Sequence, residues 1–318
     1  MGTRGTRRST IALATLGVLA STGAGALGAR NLLTGQADKA RQVIPKSWDV
    51  PPRADGVYTP GAASVERWQR GARVDLHLMV FGDSTATGYG CRVADEVPGV
   101  LVARGLAELT GKRIRLSTKA IVGATSKGLS GQVDAMFVAG PPPDAAVIMI
   151  GANDITALNG IPQSARRLNN AVKRLSSSGA VVVVGTCPDF GVIGAIPQPL
   201  RWVTRDRGLR LARAQARAVR AGGGVPVPLA DLLAPDFLQA PDVLFSEDGY
   251  HPSAEGYALA AKQLLPALGF ALGHWEGELP WESRSAENRT LSARLRMFAR
   301  LWPRRTTGVP APLVVSSG

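Results

Sequence analysis

Histidine and cysteine are scarce in this chain. There are three histidines (His77, His251, His274) and two cysteines (Cys91, Cys187) in 318 residues. No Cys-x-x-Cys pair and no cluster of histidines has metal-ligand spacing, which argues against a zinc or multi-histidine centre. No metal or other cofactor is expected, and any catalytic histidine is one of three. Aromatic residues make up only 5% of the chain. Net charge is +13, yet the arginines are scattered and no nucleic-acid module is present. A base-stacking basic face is therefore not supported, and no nucleic-acid partner is expected. After the N-terminus no apolar run reaches membrane-spanning length.

What is abundant points to a folded domain. Hydrophobic residues reach 45% against 19% charged, enough to build a large core. The first 30 residues have a basic start (Arg4, Arg7, Arg8), an apolar stretch from Ile11 to Ala20 and a small-residue segment to Ala29. That layout is a secretory signal peptide or an uncleaved signal anchor, so an exported, secreted or envelope-associated protein is expected. Residues 31–71, punctuated by Pro45, Pro51, Pro52 and Pro60, read as a linker or N-terminal extension. Residues 273–318 form a basic extension. In it Leu291, Leu295, Phe298, Leu301 and Trp302 fall at helical spacing among arginines, a pattern that suits either an anionic membrane surface or packing on the domain.

Between these lies one domain, residues 72–272. Strand-like runs occur at Val74–Phe81, Arg113–Ala120, Ala145–Ile150, Ala180–Gly185 and Val225–Leu229. They alternate with helical segments at Val93–Thr110, Ser126–Ala139, Pro162–Ser178, Trp202–Ala221 and Ser253–Leu268. This alternation predicts an α/β fold whose parallel sheet is covered on both faces. Ligands of such sheets bind beyond the carboxyl ends of the strands, so chemical residues should follow strands.

Four segments do. Gly82-Asp83-Ser84 follows the first strand, Gly123 the second and Gly151-Ala152-Asn153-Asp154 the third, while Asp248-Gly249-Tyr250-His251 precedes the last helix. A serine hydroxyl needs a base to become a nucleophile, and His251 can be that base. Asp248, three residues earlier at a turn, can fix its tautomer, and Pro252 keeps the histidine out of the helix. Ser84 and Gly123 can offer backbone N–H groups, and Asn153 its amide, to a developing oxyanion. Asp83 and Asp154 read as turn or helix caps.

In residue type and in order along the chain these segments resemble the sequence blocks of the SGNH, or GDSL, hydrolases. Thr85 stands where the family name has leucine, and Gly123 lacks the polar neighbours often found there. The resemblance covers roughly residues 74–270. It implies a flavodoxin-like three-layer α/β/α sandwich with a five-stranded parallel sheet, and hydrolysis of carboxylic esters or thioesters without metal. Short-chain acyl esters are the expected substrates. Lipid esters, thioesters and O-acetylated envelope glycans are the other candidates, and a catalytically silent envelope-binding protein on the same scaffold is the non-enzymatic one. The loop Cys187–Pro199 should border the site, its Phe190, Val192, Ile193 and Ile196 either lining an acyl pocket or covering the core. Cys91 and Cys187 follow strands at the same end of the sheet, as a disulfide or as two free thiols.

Overall fold

The computed structural model describes residues 27–39 and 50–281. A helix over residues 27–39 (α1) comes first. Strand β1 (Gly56–Tyr58) and strand β2 (Leu76–Gly82) follow, and then the single turn α2 (Ser84–Thr87). Next are α3 (Pro98–Thr110), β3 (Ile114–Thr118), α4 (Ser126–Ala139), β4 (Ala145–Met149), α5 (Ala152–Thr156), α6 (Ile161–Ser177) and β5 (Val181–Gly185). The domain closes with α7 (Leu200–Ala221), β6 (Val225–Val227), α8 (Leu229–Gln239), α9 (Pro241–Leu244) and α10 (Ala254–Ala271).

The sheet order is β1-β3-β2-β4-β5-β6. The five expected strands pair in parallel, and β1 adds a sixth, antiparallel to β3 in the register Gly56↔Leu116 and Tyr58↔Ile114. The sheet is therefore mixed and mostly parallel, a correction to the five-stranded parallel expectation. The added strand lies inside the segment read as a linker. Three residues among prolines are too short for any period to show, and pairing with an exposed edge is what orders them. The start of that segment also docks: the Gln36 amide donates to Gln198 O at 2.6 Å and accepts from Leu200 N–H at 3.0 Å.

Strands β4 (Ala-Ala-Val-Ile-Met) and β5 (four valines and Gly185) are apolar throughout because both faces of the sheet are covered there. On one face Met79, Phe81, Ile148 and Val184 pack against Leu129 and Val133 of α4, Leu168 and Val172 of α6 and Val219 of α7. On the other lie α3, α8 and α10. Removing each such side chain from water contributes roughly 1.5–3 kcal/mol. Parallel strands joined by helices all end on the same edge. The segments after β2, β3, β4 and β5 are thereby gathered along one rim, as the strand-end rule requires.

Neither the expected signal segment, apart from residues 27–30, nor the basic stretch from Leu291 to Trp302 falls within the described residues. No helix among the described residues is long and apolar enough to cross a membrane.

Candidate active site

The chain leaves β2 through Gly82, whose φ is +139°. A Cβ there would lie 1.8 Å from Met149 O, so only glycine allows β2 and β4 to stay this close while the chain turns. The turn is held from outside the strand. Gln132 of α4 accepts from Gly82 N–H at 2.8 Å and donates to Gly82 O at 2.7 Å. Gln215 of α7 does the same one strand over, accepting from Cys187 N–H at 2.7 Å and donating to Ile150 O at 2.8 Å. These two buried glutamines replace the ladder bonds lost where strands splay, and neither was foreseen from the sequence. Their one signal there is an amide on an otherwise apolar helix face.

Asp83 caps α2, accepting from Thr85 N–H at 3.0 Å, which places Ser84 in the first helical position. Among the described residues neither the Ser84 nor the Gly123 N–H donates to a protein acceptor. The Ser84 N–H is one of the orphan donors that every helix N-terminus carries. Gly123 sits at φ +80° in an open turn after β3, a backbone state that favours glycine.

Ser84 and His251 are 167 positions apart, yet His251 Nε2 lies 3.0 Å from Ser84 Oγ. Behind the imidazole, Nδ1 is 2.6 Å from Asp248 Oδ2. Asp248 Oδ1 accepts from the Ser246 hydroxyl and from the backbone N–H groups of Tyr250 and His251, each at 2.8 Å. Burial alone would raise the pKa of Asp248, but these donors, His251 first among them, outweigh it and hold the carboxyl down at about 2. The Tyr89 and Tyr250 rings flank the imidazole at centroid distances of 4.5 and 5.0 Å. No local sequence pattern signals this clamp. His251 and Ser84 are both buried, at 7% and 6% exposure. The other histidines lie elsewhere: His77 bonds Ser117 at 2.9 Å and His274 contacts Lys112 at 3.3 Å.

Asn153 lines the same pocket as Ser84 and His251, whereas Gly123 does not. The two are linked because Asn153 Nδ2 donates to Ala124 O at 3.1 Å, which leaves its second amide hydrogen unused by that bond. Asp154, buried beneath, accepts from Ser126 N–H, Ser126 Oγ, Asn159 Nδ2 and Ser164 Oγ at 2.7–2.9 Å. It thereby ties the start of α4, and the Gly123 loop before it, to α5.

Asp83 is also buried at the site. Burial pushes its pKa up to about 6, against the hydrogen bonds it accepts from Thr85 and Gly151. The folded protein keeps this proton at pH values where the unfolded chain has lost it. The stabilisation is complete below the unfolded carboxyl range near 4 and is lost as pH rises through about 6. Asp83→Asn should therefore gain stability relative to wild type between pH 4 and pH 7, by on the order of 3 kcal/mol. Urea unfolding of both proteins across that range measures it, and a difference that does not change with pH refutes it.

Phe190, Val192 and Ile193 of the loop after β5 line the pocket, while Ile196 is buried with Cys187, Leu211 and Ile155. The loop therefore does both things expected of it. Both cysteines are free thiols. Burial raises both, Cys91 to about 12 and Cys187 further, so neither is a ready nucleophile at neutral pH.

A mostly parallel α/β sheet with a serine, a histidine and an aspartate hydrogen-bonded in series at its carboxyl rim, and no G-x-S-x-G elbow, defines a hydrolase of the SGNH type. The chain belongs to the GDSL-like Lipase/Acylhydrolase family, whose sequence profile matches residues 80–259. It is 73% identical over 266 residues to the GDSL-like esterase Rv1075c of Mycobacterium tuberculosis (strain ATCC 25618 / H37Rv), an overlap that spans 84% of this chain and 85% of that protein. It is an esterase of the GDSL family, a carboxylic ester hydrolase. Among solved structures, LAE5, an alpha/beta hydrolase enzyme from the metagenome of Lake Arreo, Spain, is 21% identical with a TM-score of 0.48, over 64% of this chain and 97% of that one. The psychrotrophic esterase EstA from Pseudoalteromonas sp. is 18% identical with a TM-score of 0.48, over 63% of this chain and all of that one.

Proposed function

We propose that this esterase cleaves short-chain acyl esters through a covalent acyl-enzyme on Ser84. The observation that carries the reading is the hydrogen-bonded series Ser84 Oγ, His251, Asp248 with both joints in proton-transfer range. Ser84 Oγ attacks the ester carbonyl as His251 Nε2 takes its proton. The resulting oxyanion is met by the N–H of Ser84, the N–H of Gly123 and the amide of Asn153. Imidazolium His251 then protonates the departing alkoxide, and Asp248 stays ionised against it. Water, deprotonated by the same histidine, attacks the acyl-enzyme, and collapse of the second tetrahedral intermediate returns Ser84 and releases the acid.

An alkyl fluorophosphonate, which transfers its phosphonyl group to an activated serine with loss of fluoride, tests the nucleophile directly. Intact protein should be labelled on the tryptic peptide that holds Ser84, and Ser84→Ala should take up none. Equal labelling of the two proteins refutes the assignment. The pocket volume of about 90 Å³ supports a short acyl group over a lipid tail. The signal-like first 30 residues support action outside the cytoplasm, where acylated glycans and lipids of the cell envelope are the ester pools at hand.

A further inference from the structure

The pocket that opens at Ser84 and His251 does not stop at the loop after β5. It extends under the rim of the sheet, where Gly185, Leu229, Leu233, Phe237, Gly256 and Ala260 form its inner wall. All three elements that build this end, β5, α8 and α10, lie outside the four sequence blocks of the site. Leu229, Leu233, Phe237 and Ala260 are each at most 9% exposed, so this end is closed to solvent. Every group it presents is hydrocarbon, apart from backbone.

We propose that this blind end is the acyl subsite, and that Leu233 and Phe237 of α8 with Ala260 of α10 set the longest acyl chain the esterase accepts. The proposal rests on the ester-hydrolysis reading above. During turnover the alcohol must leave and water must enter, so the alcohol side needs an open path. The acyl group stays bonded to Ser84 Oγ through both steps and is the only part of the substrate that can occupy a closed pocket throughout. An apolar wall with no hydrogen-bond partner selects unsubstituted alkyl chains, because a hydroxyl or charge buried there would lose its water without replacement. Size sets the limit. An apolar cavity of about 150 Å³ admits benzene, and the whole pocket here, its mouth at Ser84 included, is about 90 Å³, which leaves the blind end room for a chain of only a few carbons.

The side chains can be changed without touching the reacting groups. Gly256 is a poor probe, since a Cβ there would meet Leu244 O at 2.3 Å. Ala260→Leu fills the blind end and Leu233→Ala extends it; both keep good helix formers in place. The measurement is kcat/KM for p-nitrophenyl acetate, butyrate, hexanoate and octanoate, with a melting curve for each protein. Wild type should favour butyrate over octanoate by at least tenfold. Discrimination of a methylene in an apolar pocket runs about 10- to 200-fold. Accordingly, Ala260→Leu should lower the butyrate-to-acetate ratio about tenfold or more, and Leu233→Ala should raise the hexanoate-to-butyrate ratio by a similar factor. Folded variants with both ratios within twofold of wild type overturn the proposal. Should neither variant fold, the rates at which ethyl and octyl fluorophosphonates label wild type decide it: faster labelling by the ethyl compound supports a short blind pocket, and equal rates overturn it. Folded wild-type protein that cleaves none of the four esters, by contrast, defeats the short-chain ester reading itself.

Discussion

Ser84→Ala should lower kcat for ester hydrolysis by on the order of 10⁴- to 10⁶-fold while leaving the fold intact. The loss is large because no other group can take the place of Oγ. Cys91 and Cys187 carry raised thiol pKa values, and the Thr87 hydroxyl is already donated to Ser84 O at 2.8 Å. The fold should survive because, among the described residues, Ser84 Oγ hydrogen-bonds only to His251 Nε2, and alanine suits the first turn of a helix. Asp83 still caps that turn. Steady-state kinetics on a p-nitrophenyl ester, paired with thermal unfolding, reads both halves. Turnover within tenfold of wild type by a folded variant would remove the serine from the mechanism.

The second large effect is expected at the far end of the same series. Asp248→Asn should reduce kcat about 10⁴-fold, although shape and most hydrogen bonds survive. The asparagine oxygen can still accept from Ser246, Tyr250 and His251 N–H, as Asp248 Oδ1 does now. Its amide nitrogen then faces His251 Nδ1 and can only donate to it. Nδ1 must become the acceptor and the ring proton moves to Nε2, where it blocks proton uptake from Ser84. The histidine is held in place but in the wrong tautomer, and it also loses the negative charge that stabilises its imidazolium form. Single-turnover kinetics with a p-nitrophenyl ester should show acylation itself slowed, with near-wild-type melting. A variant that keeps rapid acylation would show that Asp248 only shapes the loop.

Some of this is legible in the chain and some is not. Strands β4 and β5 are the most readable, because strands buried on both faces must be short unbroken apolar runs, and the alternation with helices places β2, β3 and β6 around them. The helices between them carry their own stop signals, Gly111 after α3 and Gly179 after α6. β1 is not readable, having only three residues, and α8 is hidden by Pro235 in its interior and Pro228 at its start. Gln132, Gln215, Tyr89 and Tyr250 go unnoticed for a related reason. Gln132, Gln215 and Tyr89 act on residues distant in sequence or on backbone atoms, and no local pattern records such partners; Tyr250 is next to His251 in the chain, but the loop's folded shape decides that its ring meets the imidazole.

The amino-acid sequence by itself determined the fold class, the chemical groups available and the order in which strand ends present them, because these depend on local periodicity and residue type. Only the tertiary structure decided that Ser84, His251 and Asp248 meet at 3.0 and 2.6 Å. It alone decided that a sixth strand closes the sheet edge and that α8 and α10 enclose the pocket. Those outcomes depend on strand register and on the packing of helices far apart along the chain, and such distances are set by the whole core at once.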